Sequence, residues 1–141
     1  ESCNLKNLAL LKVGMTPLYC VGETLSEFEQ GLTKKVIKSQ IEVGLKGVED
    51  IKEVVIAYEP VWSIGTGKNA SKEIAEDICA YIRTLLKEMY GKESDLVRIL
   101  YGGSVKPDNI KTYMAMPNID GALVGGASLS VDSFAELIAN I

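Results

Sequence analysis

Four short apolar runs alternate with helix-period patterns along this 141-residue chain, and that alternation leaves few folds open. The runs are Met15–Val21, Val54–Ala57, Leu96–Tyr101 and Ile119–Val124. Around them, apolar residues recur at helical spacing. Leu5, Leu8 and Leu11 mark a helix over residues 4–13, and Gly14 suits the position after its last turn. Thr24 opens a short helical turn. Thr33 is the expected N-cap of a helix from Lys34 to Leu45, with Val36, Ile37, Ile41 and Leu45 on one face. Ser71 should cap a longer helix whose core face is Ile74, Ile78, Ile82, Leu85, Leu86 and Met89, closed by Gly91. Asp108–Met116, with Pro107 at its first turn, and Ser130–Asn140, presenting Phe134, Leu137 and Ile138, complete the set. Strands joined through helices lie parallel with right-handed crossovers, so the fold class is α/β with four parallel strands. The unit spacing suits a barrel wall, but a complete (β/α)8 barrel takes ~250 residues, and this chain is little more than half of that.

The second run ends in an unusual way. In the stretch from Glu53 to Lys68, EVVIAYEPVWSIGTGK, the apolar strand closes on a carboxylate, Glu59. Pro60 follows at once, stopping strand pairing and keeping Glu59 out of the α region. A loop with Trp62, Gly65, Thr66 and Gly67 comes next. A strand-end glutamate is often simply solvated. One that closes an apolar strand beside a glycine-rich loop is a candidate general base. Trp62 is open to two readings, core packing or a cover over the carboxylate.

The last two strands end in glycine pairs, Gly102-Gly103-Ser104 and Gly125-Gly126. Each pair alone reads equally as a tight turn. Together, at the C-terminal ends of neighbouring parallel strands, they suit a phosphate cradle of backbone N–H groups.

The remaining composition mainly excludes. A net charge of −4 gives no electrostatic footprint for nucleic acid or an anionic membrane. No apolar run approaches the ~20 residues of a membrane-spanning helix, and no secretory signal pattern is visible. Cys3, Cys20 and Cys79 have no metal-ligand spacing, and their odd number argues against a disulfide framework; reduced thiols and a cytoplasmic setting are expected. With no histidine in the chain, Ser-His and Cys-His nucleophile systems and most zinc sites are excluded within it.

AYEPVWSIGTGK resembles the catalytic-glutamate strand and lid of triosephosphate isomerases, with Ser63 where alanine is usual. MTPLYCVGETL (Met15–Leu25), YGGSV (Tyr101–Val105) and DGALVGGASL (Asp120–Leu129) are similar to other strand ends of that family, in order, as strands five, seven and eight. The resemblance covers essentially the whole chain. It implies the C-terminal half of a single (β/α)8 barrel domain over residues 1–141, with the N-terminal half absent. It also implies interconversion of dihydroxyacetone phosphate and glyceraldehyde 3-phosphate through an enediolate, a step of glycolysis and gluconeogenesis that needs no metal or organic cofactor. Glu59 would be the base, and backbone amides of Gly65, Ser104, Gly125 and Gly126 would hold the phosphate. Pro60, Val61, Trp62, Ile64, Thr66, Gly67 and Lys68 would form the lid, with Glu23, Cys20 and Tyr101 behind the reacting groups. For Glu23 a plainly solvated carboxylate is an equal reading. Cys20 is expected to pack behind Glu59 without acting as a nucleophile. Arg83 and Asp120 resemble a family ion pair that supports the last two strands.

The departures are as informative. The family's electrophilic histidine and its Asn-x-Lys segment, on strands four and one, have no counterpart here, and the family's homodimer interface is built largely from that other half. The isolated chain is therefore expected to turn over little substrate, and to need a second copy or the N-terminal half as partner. The opening ESCNLKN, without an initiator methionine, reads as a cut within a longer reading frame. Two other readings compete: a different phosphate-binding barrel, which YEPVW-x-IGTG disfavours, and a non-catalytic phosphate-binding or self-assembling half-barrel module.

Overall fold

A computed structural model of the chain describes residues 1–64 and 69–141. Helix α1 (Ser2–Lys12) precedes strand β1 (Leu18–Val21), the short helix α2 (Leu25–Glu29) and helix α3 (Thr33–Gly44). Strand β2 (Val55–Tyr58), helix α4 (Lys72–Tyr90) and strand β3 (Ile99–Tyr101) follow. Helix α5 (Ile110–Met114), strand β4 (Gly121–Ala122) and helix α6 (Val131–Ala139) complete the order. The four strands form one all-parallel sheet in the order β1-β2-β3-β4. Four parallel strands were expected.

The pleat divides the sheet into two faces. Tyr19, Val21, Ile56, Tyr58, Ile99 and Tyr101 are all buried, and register aligns them across β1, β2 and β3. They pack with Ile37 and Ile41 of α3 and Ile78, Ile82 and Leu86 of α4 to make the core. The alternate residues Leu18 and Cys20 are exposed on the other face.

Local chemistry sets most boundaries. Thr24 and Glu27 form a capping box at α2, and Ser71 Oγ accepts from the Ile74 N–H at the start of α4. Gly14, Gly47 and Gly91 take positive φ where α1, the α3 exit and α4 end.

Several expectations are corrected. Thr33 is the first residue of α3, not its cap; Leu32 holds that position with no side-chain bond. In α1, Leu5 is exposed and Asn7 is buried, because Asn4 and Asn7 donate to carbonyls at the α3 C-terminus, both reaching Gly44 O at 3.1 Å. β3 starts at Ile99; residues 91–96 form a 3-10 turn that leaves Leu96 exposed. α5 begins at Ile110, three residues after Pro107, and β4 holds only Gly121 and Ala122. Met89, Phe134 and Ile138 are exposed, so α4 and α6 bury narrower stripes than their apolar patterns suggest.

Candidate active site

Glu59 continues β2 by one residue, its N–H donating to the Val21 carbonyl at 2.8 Å. Pro60 has no N–H to extend the ladder, so pairing ends there. Alternation along the strand places Glu59 on the same face as Val55 and Ala57, and Ala57 is in register with Cys20. Cys20 therefore lies on the same face as Glu59, level with Ala57 and so two residues nearer the start of the strands, and it is exposed there. Its thiol is pushed up to about 12, first by packing around the sulfur and then by its hydrogen bond to Glu59 and that group's charge. At neutral pH the thiol is protonated, and its reactivity as a nucleophile is low.

Two glycines flank Glu59. A Cβ on Gly22, after β1, would overlap the Glu59 carbonyl oxygen. A Cβ on Gly102, after β3, would lie 2.5 Å from Glu59 Cγ. Neither takes positive φ, so these glycines are explained by close approach and not by backbone conformation. Gly103 is similar, since a Cβ there would overlap the Tyr101 hydroxyl. Gly125 and Gly126 differ. Nothing lies within 4 Å of a Cβ on either, so their bare backbone faces open space.

Glu59, Ile64, Ser104, Gly125 and Gly126 line one cavity of about 1030 Å³. The carboxylate and both glycine turns thus meet at the C-terminal ends of the strands. The turn after β3 is pinned by Asn109, whose Nδ2 donates to Ser104 O at 3.0 Å while its Oδ1 accepts from the Lys106 N–H at 2.8 Å. The turn after β4 leads straight into a 3-10 turn, Gly126–Leu129, with Ser128 bonded back to Gly125 O.

Glu23 is fully buried, which overturns the solvated reading. Its Oε1 accepts from Tyr58 OH at 3.1 Å and from Trp62 Nε1 at 3.0 Å, and its Oε2 has no partner among the described residues. Burial first, then the Glu23 charge, raises Tyr58 well above the usual tyrosine range, keeping its hydroxyl a donor. Trp62 also stacks on Phe28, with centroids 4.7 Å apart. The tryptophan is therefore anchored from β1's end, with its neighbours Val61 and Ile64 exposed and Pro60 and Ser63 buried. Past the undescribed stretch, Tyr113 OH donates to Ala70 O at 2.7 Å, and the Tyr113 ring stacks on Tyr101 at 4.3 Å. The expected roles of Gly65, Thr66, Gly67 and Lys68 lie outside the described residues.

Asn109, Tyr113 and Gln40, whose side chain bonds to the Gly22 main chain, carried no sequence signal. Each acts through a side-chain bond to main chain, which periodicity does not encode. Arg83 and Asp120 do pair, Nη2 to Oδ2 at 2.7 Å, and the same Oδ2 accepts from the Ile99 N–H, joining α4, β3 and the start of β4. Among the described residues no group of three or more His, Cys, Asp or Glu could hold a metal, and no helix is long and apolar enough to cross a membrane.

A protein-family model described as triosephosphate isomerase matches residues 1–141. The chain belongs to the triosephosphate isomerase family. It is 53% identical over 141 residues to the triosephosphate isomerase of Carboxydothermus hydrogenoformans, covering 98% of this chain and 56% of that protein. The figures are the same for the protein of Lactococcus lactis subsp. cremoris. For Streptococcus mutans identity is 52%, with equal coverage. The chain thus spans little more than half the length of the triosephosphate isomerases it matches. With the family known, the parallel sheet reads as an arc of a (β/α)8 barrel, and the cavity stands at the strand ends where such barrels carry their sites.

Proposed function

We propose that residues 1–141 form part of a single barrel domain, and that this part carries the base and the phosphate-binding turns of a triose-phosphate isomerase. The observation that supports this best is the convergence of Glu59, Ser104, Gly125 and Gly126 on one cavity. Glu59 takes the carbon-bound proton next to the carbonyl of dihydroxyacetone phosphate, an enediolate forms, the hydroxyl proton passes from the first oxygen to the second, and Glu59 returns its proton to the neighbouring carbon to give glyceraldehyde 3-phosphate. The N–H groups of Ser104, Gly125 and Gly126 bind the phosphate, aided at the second turn by the glycines' open faces. Gly65 is assigned the same role. Cys20 and Gly102 hold the carboxylate from its two sides, while Tyr101 backs the phosphate turn. Pro60, Val61, Trp62 and Ile64, continued by Thr66, Gly67 and Lys68, form a cover whose apolar side chains exclude water from the enediolate, with Glu23 as the seat of Trp62. The setting is cytoplasmic, the substrate a small phosphate ester, and the partner a second copy or the remaining half of the barrel.

Electrophilic stabilisation of the enediolate oxygen is not supplied by these 141 residues, which contain no histidine. Loss of one such donor costs ~2.7–4 kcal/mol in a comparable oxyanion site, or about two to three powers of ten in rate. The isolated chain is therefore expected to show little isomerisation in a coupled assay. Adding a separately produced polypeptide with the family's Asn-x-Lys and histidine strands should restore turnover, and Glu59→Gln should abolish it again. Near-normal turnover by the isolated chain would refute the dependence, and persistent inactivity after complementation would refute the isomerase reading.

A further inference from the structure

Gln40 lies on α3, outside the cavity lining, and its side chain makes two bonds to a single residue. The Gly22 N–H donates to Gln40 Oε1 at 2.8 Å, and Nε2 donates to the Gly22 carbonyl at 2.9 Å. Only one orientation of the amide satisfies both, so its donor and acceptor ends are fixed. The helix main chain is tied to the same strand. Tyr19 OH donates to Gln40 O at 2.7 Å, and Gly44, one turn on, packs so closely on the Tyr19 phenol that a Cβ there would overlap it.

What Gln40 grips is the residue pressed against Glu59. Gly22 abuts the Glu59 carbonyl oxygen, and its neighbours on either side bind the flanking peptides. Val21 O accepts from the Glu59 N–H at 2.8 Å, and Glu23 O accepts from the Val61 N–H at 3.0 Å. Gly22 itself, with no side chain and the widest backbone freedom of any residue, would be the loose link in this pairing. Its own N–H and C=O are the groups that Gln40 holds. We infer that Gln40 is a positioning residue for Glu59, acting through the Gly22 peptide to fix where the β2 end presents its carboxylate. The inference rests on Glu59 being the base proposed above.

Two variants test it. Gln40→Leu removes both bonds at similar volume, and Gln40→Glu keeps the acceptor for the Gly22 N–H but gives up the donor. One readout needs no turnover. Cys20 is exposed on the same face as Glu59, and its thiol is kept protonated first by packing around the sulfur and then by the neighbouring Glu59 carboxylate. Displacing the carboxylate removes its share of the upward push on the thiol and raises the thiolate fraction, so Cys20 should react with an aromatic disulfide reagent about threefold faster in the Leu variant, the modified site being located by peptide mass spectrometry. The Glu variant should fall between Leu and parent. In the complemented protein, kcat should drop about 10- to 100-fold in the Leu variant, with KM and the affinity for inorganic phosphate within about twofold of the parent. A parent-like Cys20 rate in the Leu variant, whatever its melting temperature, overturns the inference and leaves Gln40 a structural residue. So does a loss confined to phosphate affinity. If the Leu variant does not fold, the Glu variant carries the same comparison. A parent that never turns over after complementation refutes the isomerase reading alone, and the thiol rates still decide the role of Gln40.

Discussion

Gly102 is a sharper constraint on the base than any side chain that touches it. Its missing Cβ is the space in which Glu59 Cγ lies, and Cδ and Oε1 stand only 3.2 Å from the same point. Its N–H donates to Tyr58 O at 2.8 Å, so the backbone cannot retreat without breaking the β2–β3 connection. In Gly102→Ala the flexible glutamate should give way first. The expected outcome is a kcat at least about tenfold lower in the complemented enzyme, with a loss of stability of about 1 kcal/mol or less because this glycine does not need the left-handed backbone. Equal kcat with a large drop in melting temperature would show that the strand moves and the carboxylate stays. At this scale Glu59 was legible in the sequence, because an apolar strand stopped by proline leaves its last residue at a sheet end. Cys20 was legible as a neighbour of the base, and its register with Ala57 puts it on the same face, one pleat step before Glu59. Glu23 was ambiguous, since nothing local distinguishes a solvated carboxylate from one buried under Tyr58 and Trp62. Gln40 was invisible, because it reads as one more polar residue on an amphipathic helix.

Among the elements, α4 was the most legible and β4 the least. A 19-residue helix with a serine cap, a glycine after its last turn and a continuous apolar stripe is specified several times over. A two-residue strand of glycine and alanine is specified mainly by its pairing with Leu100 and Tyr101. The buried face of α4 also carries a titratable group, Cys79, which the sequence presents only as one of three thiols without metal-ligand spacing. Its thiol is pushed up to about 12 from an ordinary value of 9.0, first by burial and then by Glu76, with Arg83 opposing. A raised folded-state value means that the neutral thiol stabilises the fold. This contribution is complete below about pH 9 and is lost as pH climbs from 9 towards 12. Urea unfolding of the parent should weaken across that window more steeply than that of Cys79→Ala, even though the alanine variant is less stable at neutral pH for want of the sulfur's packing. Parallel pH profiles would show that the Cys79 thiol does not titrate differently in the folded state.

At the scale of the whole molecule, the parallel order of the sheet was legible because strand–helix alternation permits little else, whereas the way it is completed is not written in these residues. β1 and β4 are the outer strands of the described sheet, and parallel strands are ordinarily covered on both faces. Here one face leaves Leu18 43% exposed, and the far end of the chain leaves Leu129, Val131, Ile138 and Ile141 more exposed still. Apolar surface of this extent on a monomer favours association. The purified 141-residue chain should therefore sediment as a mixture whose mean mass rises over a roughly hundredfold concentration range, in line with mass action. If the sheet edge and its exposed face drive this, Leu18→Lys should shift the distribution towards monomer, since an inward-pointing charge on an outer strand opposes edge pairing. If the terminal helix drives it, Val131→Lys should do so and Leu18→Lys should not. Complementation with the other barrel strands gives the discriminating result. Strands that cover β1 and β4 should abolish self-association of the parent and leave the Leu18→Lys chain less able to form the active complex. A chain that stays monomeric at every concentration, without complementation, would show that the exposed face is tolerated in water as it stands.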